Sequence, residues 1–120
     1  VIRKARISDV KQLHALINNF AQEDLMLPRS LNELYDNLRD FWVAEENKKI
    51  TGCCALHISW QELVEIKSLA VIKGWQKKGV GSQLVTTCIE EAKHLGAKKV
   101  FALTYKPEFF RKFGFRRVRH

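Results

Sequence analysis

The densest chemical signal in the chain is the segment Gln76-Lys77-Lys78-Gly79-Val80-Gly81. It lies between an apolar strand-like run, Ile66 to Val71, and an amphipathic stretch beginning near Gly81 that reads as a helix. Glycine has no Cβ, so two glycines permit a tight turn, and the first amides of the helix that follows lack partners inside it and point toward an anion. Lys77 and Lys78 add mobile positive charge. This spacing suits the backbone amides from Lys77 to Ser82 to phosphate binding; a turn that merely closes a tight loop would use the same two glycines. Two other glycine motifs fail on these residues. Gly74 to Gly79 has the spacing of a triphosphate loop, but Val80 and Gly81 stand where Lys and Ser or Thr are required. A dinucleotide fingerprint from Gly79 fails at Leu84, where a third glycine should pack.

Other reactive side chains are fewer. Cys53, Cys54 and Cys88 cannot form a full disulfide framework and lack paired zinc spacing, so they read as buried thiols. His14 and His57 have no acid or cysteine near them in a ligand pattern, which predicts no metal. Trp42, Trp60 and Trp75 are scattered among strand starts and turns, so packing explains them better than base stacking does.

The chain has 120 residues, 46% of them hydrophobic, and a net charge of +8. That length predicts one domain, residues 1–120, with a two-layer core. No apolar stretch is long enough to span a membrane, and Arg3, Lys4, Arg6 and Asp9 interrupt the N-terminal segment where a secretory signal would be apolar. A cytoplasmic location is the expectation. The positive charge implies an anionic partner: nucleic acid, anionic lipid, or a polyanionic cofactor with an acidic substrate.

These residues need elements to hold them. Ile2 to Ile7 reads as a first strand, and Ser8 as the cap of a helix running to about Gln22 with Val10, Leu13, Ile17 and Phe20 on its apolar face. Leu25 to Arg29 is a loop, stopped by Pro28. Ser30 and Glu33 form a capping box for a second helix whose stripe is Leu31, Leu34, Leu38 and Phe41. Phe41 to Glu46 and Ile50 to Ser59 form a hairpin about Asn47-Lys48-Lys49, and Leu63 to Val71 is a third strand of this group. A helix follows the glycine turn and ends at Gly96. Lys99 to Thr104 reads as a strand, Pro107 to about Phe113 as a helix, and Phe115 to Val118 as the start of a last strand. The order β-α-α-β-β-β-α-β-α-β predicts an α/β fold with a mixed central sheet flanked by helices.

The glycine segment resembles the acyl-coenzyme A signature of the GNAT N-acetyltransferases, Gln/Arg-x-x-Gly-x-Gly/Ala. The element order is also that of the family, and a second family motif lies at Pro107 to Phe115, ending Lys112-Phe113-Gly114-Phe115. Leu27-Pro28-Arg29-Ser30, Cys53-Cys54-Ala55-Leu56 and Phe101-Ala102-Leu103-Thr104 are similar to the acetyltransferase domain of the N-acetylglutamate synthases of arginine biosynthesis, in their short stand-alone form.

The resemblance implies acetyl-CoA as cosubstrate and no metal. It implies that Gln76, Lys77, Lys78, Gly79, Val80, Gly81 and Ser82 hold the pyrophosphate, with pantetheine along Leu69, Ala70 and Val71. A main-chain amide near Leu69 would polarise the acetyl carbonyl; the Leu69 and Val71 side chains also suit the core. Glu65 has the offset of the base glutamate in several relatives, directly or through water, and the alternative for it is a salt bridge to Lys67. The tyrosine that many relatives use as general acid corresponds to Phe110, which has no proton to give. Tyr105, at the expected strand end, is the substitute donor, or else an amphipathic cap, and water is the other source. Phe109 and Phe110 would pack on pantetheine or on the core.

For the acceptor, the resemblance implies glutamate and matches Arg29 to an arginine of the synthase pattern, placed to hold one carboxylate, with an exposed surface arginine as its alternative; Lys106, just after the strand ending at Thr104, is a candidate for the second carboxylate by position. A solvent-exposed lysine is the ordinary reading of Lys106. Other amines are the alternative acceptors, and a non-catalytic nucleic-acid-binding role is the alternative of a different class. No nucleic-acid or membrane partner is expected, and pairing through an exposed sheet edge would give a homodimer.

Overall fold

The computed structural model describes residues 1–23 and 26–118. Leu25, in the expected loop, lies outside the described residues. The elements are β1 (Ile2–Lys4), α1 (Val10–Gln22), α2 (Leu31–Asp36), β2 (Phe41–Glu46), β3 (Lys49–Trp60), β4 (Leu63–Val71), α3 (Val80–His94), β5 (Lys99–Phe101) and α4 (Pro107–Arg111). They form one five-stranded sheet in sequence order, antiparallel from β1 to β4 and parallel between β4 and β5. This is the expected mixed α/β architecture.

Each face of the sheet carries its own core. On one face Val10, Leu13 and Ile17 of α1 and Leu34 of α2 pack on Phe41, Val43, Cys53, Ala55 and Ala70. On the other, Leu84, Val85, Cys88 and Ala92 of α3 pack on Cys54, Leu56, Val64, Ile66 and Val71, with Phe110 of α4 beside them. Strand alternation produces the division, because neighbouring residues such as Cys53 and Cys54 point to opposite faces. Gly52 lets α3 seat closely: a Cβ there would lie 3.1 Å from the Ala70 carbonyl and 3.2 Å from Leu84 Cδ1.

Several element boundaries differ from expectation, each for a local reason. β1 stops at Lys4, and Ser8 does not cap α1. It sits inside a 3₁₀ turn, Ile7–Asp9, and Asp9 is the anchor, its carboxylate accepting from the Arg6 amide at 2.7 Å. The α2 capping box is present, but the helix ends at Asp36. Leu31 is exposed, Leu38 belongs to a 3₁₀ turn and Phe41 begins β2, so the apparent helical stripe crossed three elements. The β2–β3 turn has only two central residues, Asn47 and Lys48, both at positive φ, which matches the twist of a tight hairpin. β5 ends at Phe101, not Thr104. α4 ends at Arg111, and Phe115 to Val118 form no strand. Gly114, at φ 91°, turns the chain back so that the Phe115 amide donates to the Phe110 carbonyl at 3.4 Å.

The β1 end is pinned by charge. Arg3 donates to both Asp9 oxygens, at 2.8 and 3.0 Å, and to Glu45 at 3.1 Å. These bonds hold the buried Asp9 carboxyl below its ordinary value. The contribution to stability is therefore complete above the unfolded carboxyl range and is lost as pH falls through the depressed folded value. Asp9→Asn is expected to cost about 2 kcal/mol at neutral pH. Denaturant unfolding at about pH 7 and about pH 3 should also show the variant losing less stability on acidification than the wild type.

Candidate active site

The site is organised by what β4 does not pair with. On its β5 side the ladder consists of Leu63–Lys99, Val64–Val100 and Glu65–Phe101. From Ile66 to Ala70 no described strand lies along that edge, so the amides and carbonyls facing it are left for another partner. On the β3 side, Ala70 faces Cys53 and Lys67 faces Ala55, so Ser68 and Leu69 together stand opposite Cys54. This is a β-bulge, and Ser68 takes a positive φ of 55° to make it. The bulge kinks β4 beside Leu69, Ala70 and Val71, the residues along which pantetheine was expected.

At the end of β4 the chain enters the glycine segment. Gln76 donates from its side-chain amide to the Val71 carbonyl at 2.8 Å, and Ile72 donates to the Thr51 carbonyl at 2.9 Å, which ties the loop to the sheet. Lys77 and Gly79 are both left-handed, with φ 66° and 83°, and Gly79 caps α3. Gln83 donates to the Gly79 carbonyl, so Val80, Gly81 and Ser82 carry amides that the helix does not use. Gly81 packs under Phe109, whose Cζ would lie 3.5 Å from an added Cβ. Lys78 Nζ stands 5.1 Å over the Trp75 ring. These free donors stand at the start of a fifteen-residue helix, where the helix dipole favours negative charge.

A second concavity, about 210 Å³ in volume, opens on the α1/α2 face of the sheet. Phe41 and Ala55 line it together with Arg29, Asp40, His57, Lys67 and Ser68. Cross-strand register explains the grouping: Ala55 pairs with Lys67 and His57 with Glu65, so all four side chains share a face. Arg29 comes from the loop before α2, with only 18% of its side chain exposed and Glu33 at 3.7 Å. Its backbone is fixed by one side chain of α1. Asn18 accepts from the Arg29 amide at 3.1 Å and donates to the Arg29 carbonyl at 3.0 Å.

The expected site residues thus divide into groups. The glycine segment with Phe109 clusters at the α3 start, and Arg29 enters the cleft. Glu65 lies on the cleft face where the β4–β5 ladder ends. Its alternative, a contact with Lys67, is also present, but at 3.9 Å it is too long for a hydrogen bond. Phe110 is core, 6% exposed and edge-on to Phe109 and Phe115. Tyr105 does not end a strand. It lies four residues beyond β5 and is 73% exposed, and Lys106 beside it is also exposed; neither lines the cleft. The three cysteines are fully buried, and burial pushes the Cys53 thiol up to about 12, which removes it as a thiolate nucleophile at neutral pH. Among the described residues no group of three or more His, Cys, Asp or Glu is placed to hold a metal ion.

The sequence did not place Lys67, Ser68 or Asn18 at the site, nor did it pair His57 with Asp40. His57 does have an acid beside it: its Nδ1 lies 2.7 Å from Asp40 Oδ2. The period-two alternation of β3 and β4 could have placed His57 and Lys67 with Glu65. The Asp40 contact crosses seventeen residues and depends on where the 3₁₀ turn Leu38–Asp40 ends, so no spacing rule reveals it.

The structure thus brings together free amides at the start of α3, an opened β4 edge and a small polar cleft across the sheet. The model of the acetyltransferase (GNAT) family matches residues 7–115. The chain belongs to the GNAT acetyltransferase family. It is 36% identical over 121 residues to an amino-acid acetyltransferase of Mycobacterium tuberculosis, covering 98% of this chain and 69% of that protein. A Mycobacterium tuberculosis structure in complex with CoA superposes with TM-score 0.94 at 36% identity, over 99% of this chain and 73% of that one. The N-acetylglutamate synthase of Neisseria gonorrhoeae, complexed with coenzyme A and N-acetyl-glutamate, also gives TM-score 0.94, at 30% identity over 99% of this chain and 28% of that one. As a GNAT enzyme the chain uses acetyl-CoA as cosubstrate.

Among the described residues, the Asn18 side chain hydrogen-bonds to the backbone of Arg29 and to the His14 carbonyl of α1, so its removal should loosen the arginine without altering the α3 start. Asn18→Ala is expected to raise the acceptor KM by about fivefold, through loss of roughly 1 kcal/mol of positioning, with CoA affinity unchanged by calorimetry. Asn18→Asp keeps the acceptor and loses the donor, and should fall between the two.

Proposed function

We propose that this enzyme acetylates the α-amine of a small acidic amino acid, glutamate first among them, by direct transfer from acetyl-CoA. The observation that carries the reading is the small cleft lined by two cations, Arg29 and Lys67, on the opposite sheet face from α3. At about 210 Å³ it lies below the roughly 300–1,000 Å³ of drug-sized pockets. A free amino acid suits it better than a protein side chain still attached to its backbone. Two carboxylates match two cations. Arg29 offers planar bidentate donors, and Lys67 takes the role expected of Lys106. The amino-acid acetyltransferase name of the Mycobacterium relative and the N-acetyl-glutamate ligand of the Neisseria enzyme support the same acceptor class.

In this reading the amides of Val80, Gly81 and Ser82 hold the pyrophosphate, aided by Lys77 and Lys78. Gln76 acts by holding the loop against Val71, and Phe109 packs beside the entering chain. Pantetheine lies along the free edge of Leu69, Ala70 and Val71, where a main-chain amide polarises the acetyl carbonyl. Glu65 is the general base of the attack, directly or through water. Solvent returns a proton to the thiolate, because Phe110 is buried and has none and Tyr105 is exposed.

The deciding assay is thiol release from acetyl-CoA with a panel of glutamate, glutamine, aspartate, lysine and spermidine. Selective turnover of glutamate is expected; equal or better turnover of the cationic amines would overturn the acceptor assignment. Arg29→Ala should raise the KM for the acidic amino acid by about tenfold or more, the scale of one charge-assisted hydrogen bond. Gly81→Glu should fold, since an added Cβ meets only ordinary contacts, yet bind CoA at least about 100-fold more weakly, by repulsion of phosphate at the cradle.

A further inference from the structure

Forming an amide from an ammonium group removes two protons from one nitrogen, and the assignment above supplies one base. The cleft holds a second proton acceptor. His57 lies directly opposite Glu65 in the β3–β4 register, lines the same cleft as Arg29 and Lys67, and is 39% exposed at its side chain. Its Nδ1 contacts Asp40 Oδ2 at 2.7 Å. An ionised carboxylate only accepts hydrogen bonds, so Nδ1 carries the proton and donates it, which leaves Nε2 as the nitrogen with a free lone pair. A histidine held at one nitrogen by a buried or half-buried acid, with its other nitrogen available beside a polar cleft, is the arrangement of an oriented base.

We propose that His57, oriented by Asp40, removes the first proton from the acceptor ammonium, and that Glu65 serves the second. The inference rests on the amine-acetylation reading given above. An N–H bond of the ammonium breaks, its electron pair stays on nitrogen, and the proton goes to Nε2. The imidazolium so formed is stabilised by the Asp40 carboxylate and later gives its proton to solvent. The freed lone pair forms the N–C bond at the acetyl carbonyl carbon, and the C–S bond breaks with its pair going to the coenzyme A sulfur. The second nitrogen proton passes to Glu65, and a proton from solvent restores the thiol. The charged groups facing His57 are Asp40 from the 3₁₀ turn, Glu65 and Lys67 from β4, and Arg29 from the loop before α2.

The test is the pH dependence of kcat/KM for the acceptor in wild type, His57→Gln and Asp40→Asn, at saturating acetyl-CoA. Near pH 7 the glutamine variant should be about 100-fold slower. The deficit should shrink steadily toward about pH 10, where more of the acceptor arrives already as free amine. Asp40→Asn should show a smaller deficit with the same recovery. A structural role predicts a constant ratio at every pH, and that result, or a variant within about threefold of wild type at pH 7, would overturn the proposal. A second measurement needs no acceptor. Long-range ¹H–¹⁵N spectra of the free protein should give His57 as the Nδ1–H tautomer, and Asp40→Asn should change it; an Nε2–H tautomer in the wild type refutes the oriented base. Wild type that turns over no amine on the panel would sink the acceptor reading instead, with the tautomer still deciding the His57–Asp40 pair.

Discussion

The constraint on which this structure depends is the incomplete pairing of one strand. β4 begins inside the sheet, with β3 on one side and β5 on the other, and after Glu65 it loses β5. Buried backbone groups ordinarily find partners, so a strand edge opened in the middle of a sheet is stable only where solvent or a ligand satisfies it. Three features keep the gap from closing. β5 is only three residues long, the bulge at Ser68 and Leu69 bends β4 beside the gap, and α3 is held against β3 and β4 by its own core. The cofactor chain can act as a missing strand, with its phosphates at a helix start and its reactive end near the cleft.

That division of labour gives each residue type a place. In the proposed reading the donor side relies mainly on backbone, with helix amides, a left-handed Gly79 and a free strand edge, while the Gln76 side chain holds the loop. The proposed acceptor side relies on side chains, with Arg29 clamped through its backbone by Asn18, and Lys67, Glu65 and His57 aligned by strand register. The proposed proton chemistry then falls where the two sides meet, at the last paired residue of the β4–β5 ladder.

Much of this was legible in the sequence, and the reasons differ by element. The turn geometry of the glycine segment was readable because a tight entry into a helix imposes local rules on adjacent residues. β4 was readable to the residue, since its alternation is bounded by a tight turn and a glycine loop. Arg29 was identified through resemblance, and the structure adds the reason it is ordered. The errors lie where tertiary contacts override local pattern. Leu31, Leu38 and Phe41 kept helical spacing across three different elements, and Asp9 displaced Ser8 because Arg3 and the Arg6 amide both engage its carboxylate. Tyr105 and Lys106 were placed by a strand expected to reach Thr104, and the early end of β5 removes them from the cleft. His57–Asp40 was invisible because two residues far apart in the chain meet only once the sheet has its register.

The two separate cores on either face of the sheet have a consequence for how such an enzyme changes over generations. Substitutions at Arg29 in the α1–α2 loop or at Ala55 and His57 of β3 reshape the proposed acceptor cleft while leaving the packing of α3 against β4 in place. Distant, non-contacting sites combine their effects almost independently. A lineage can therefore trade one amine for another through a few loop mutations, each viable on its own, and never pass through an ancestor that has lost its acyl donor.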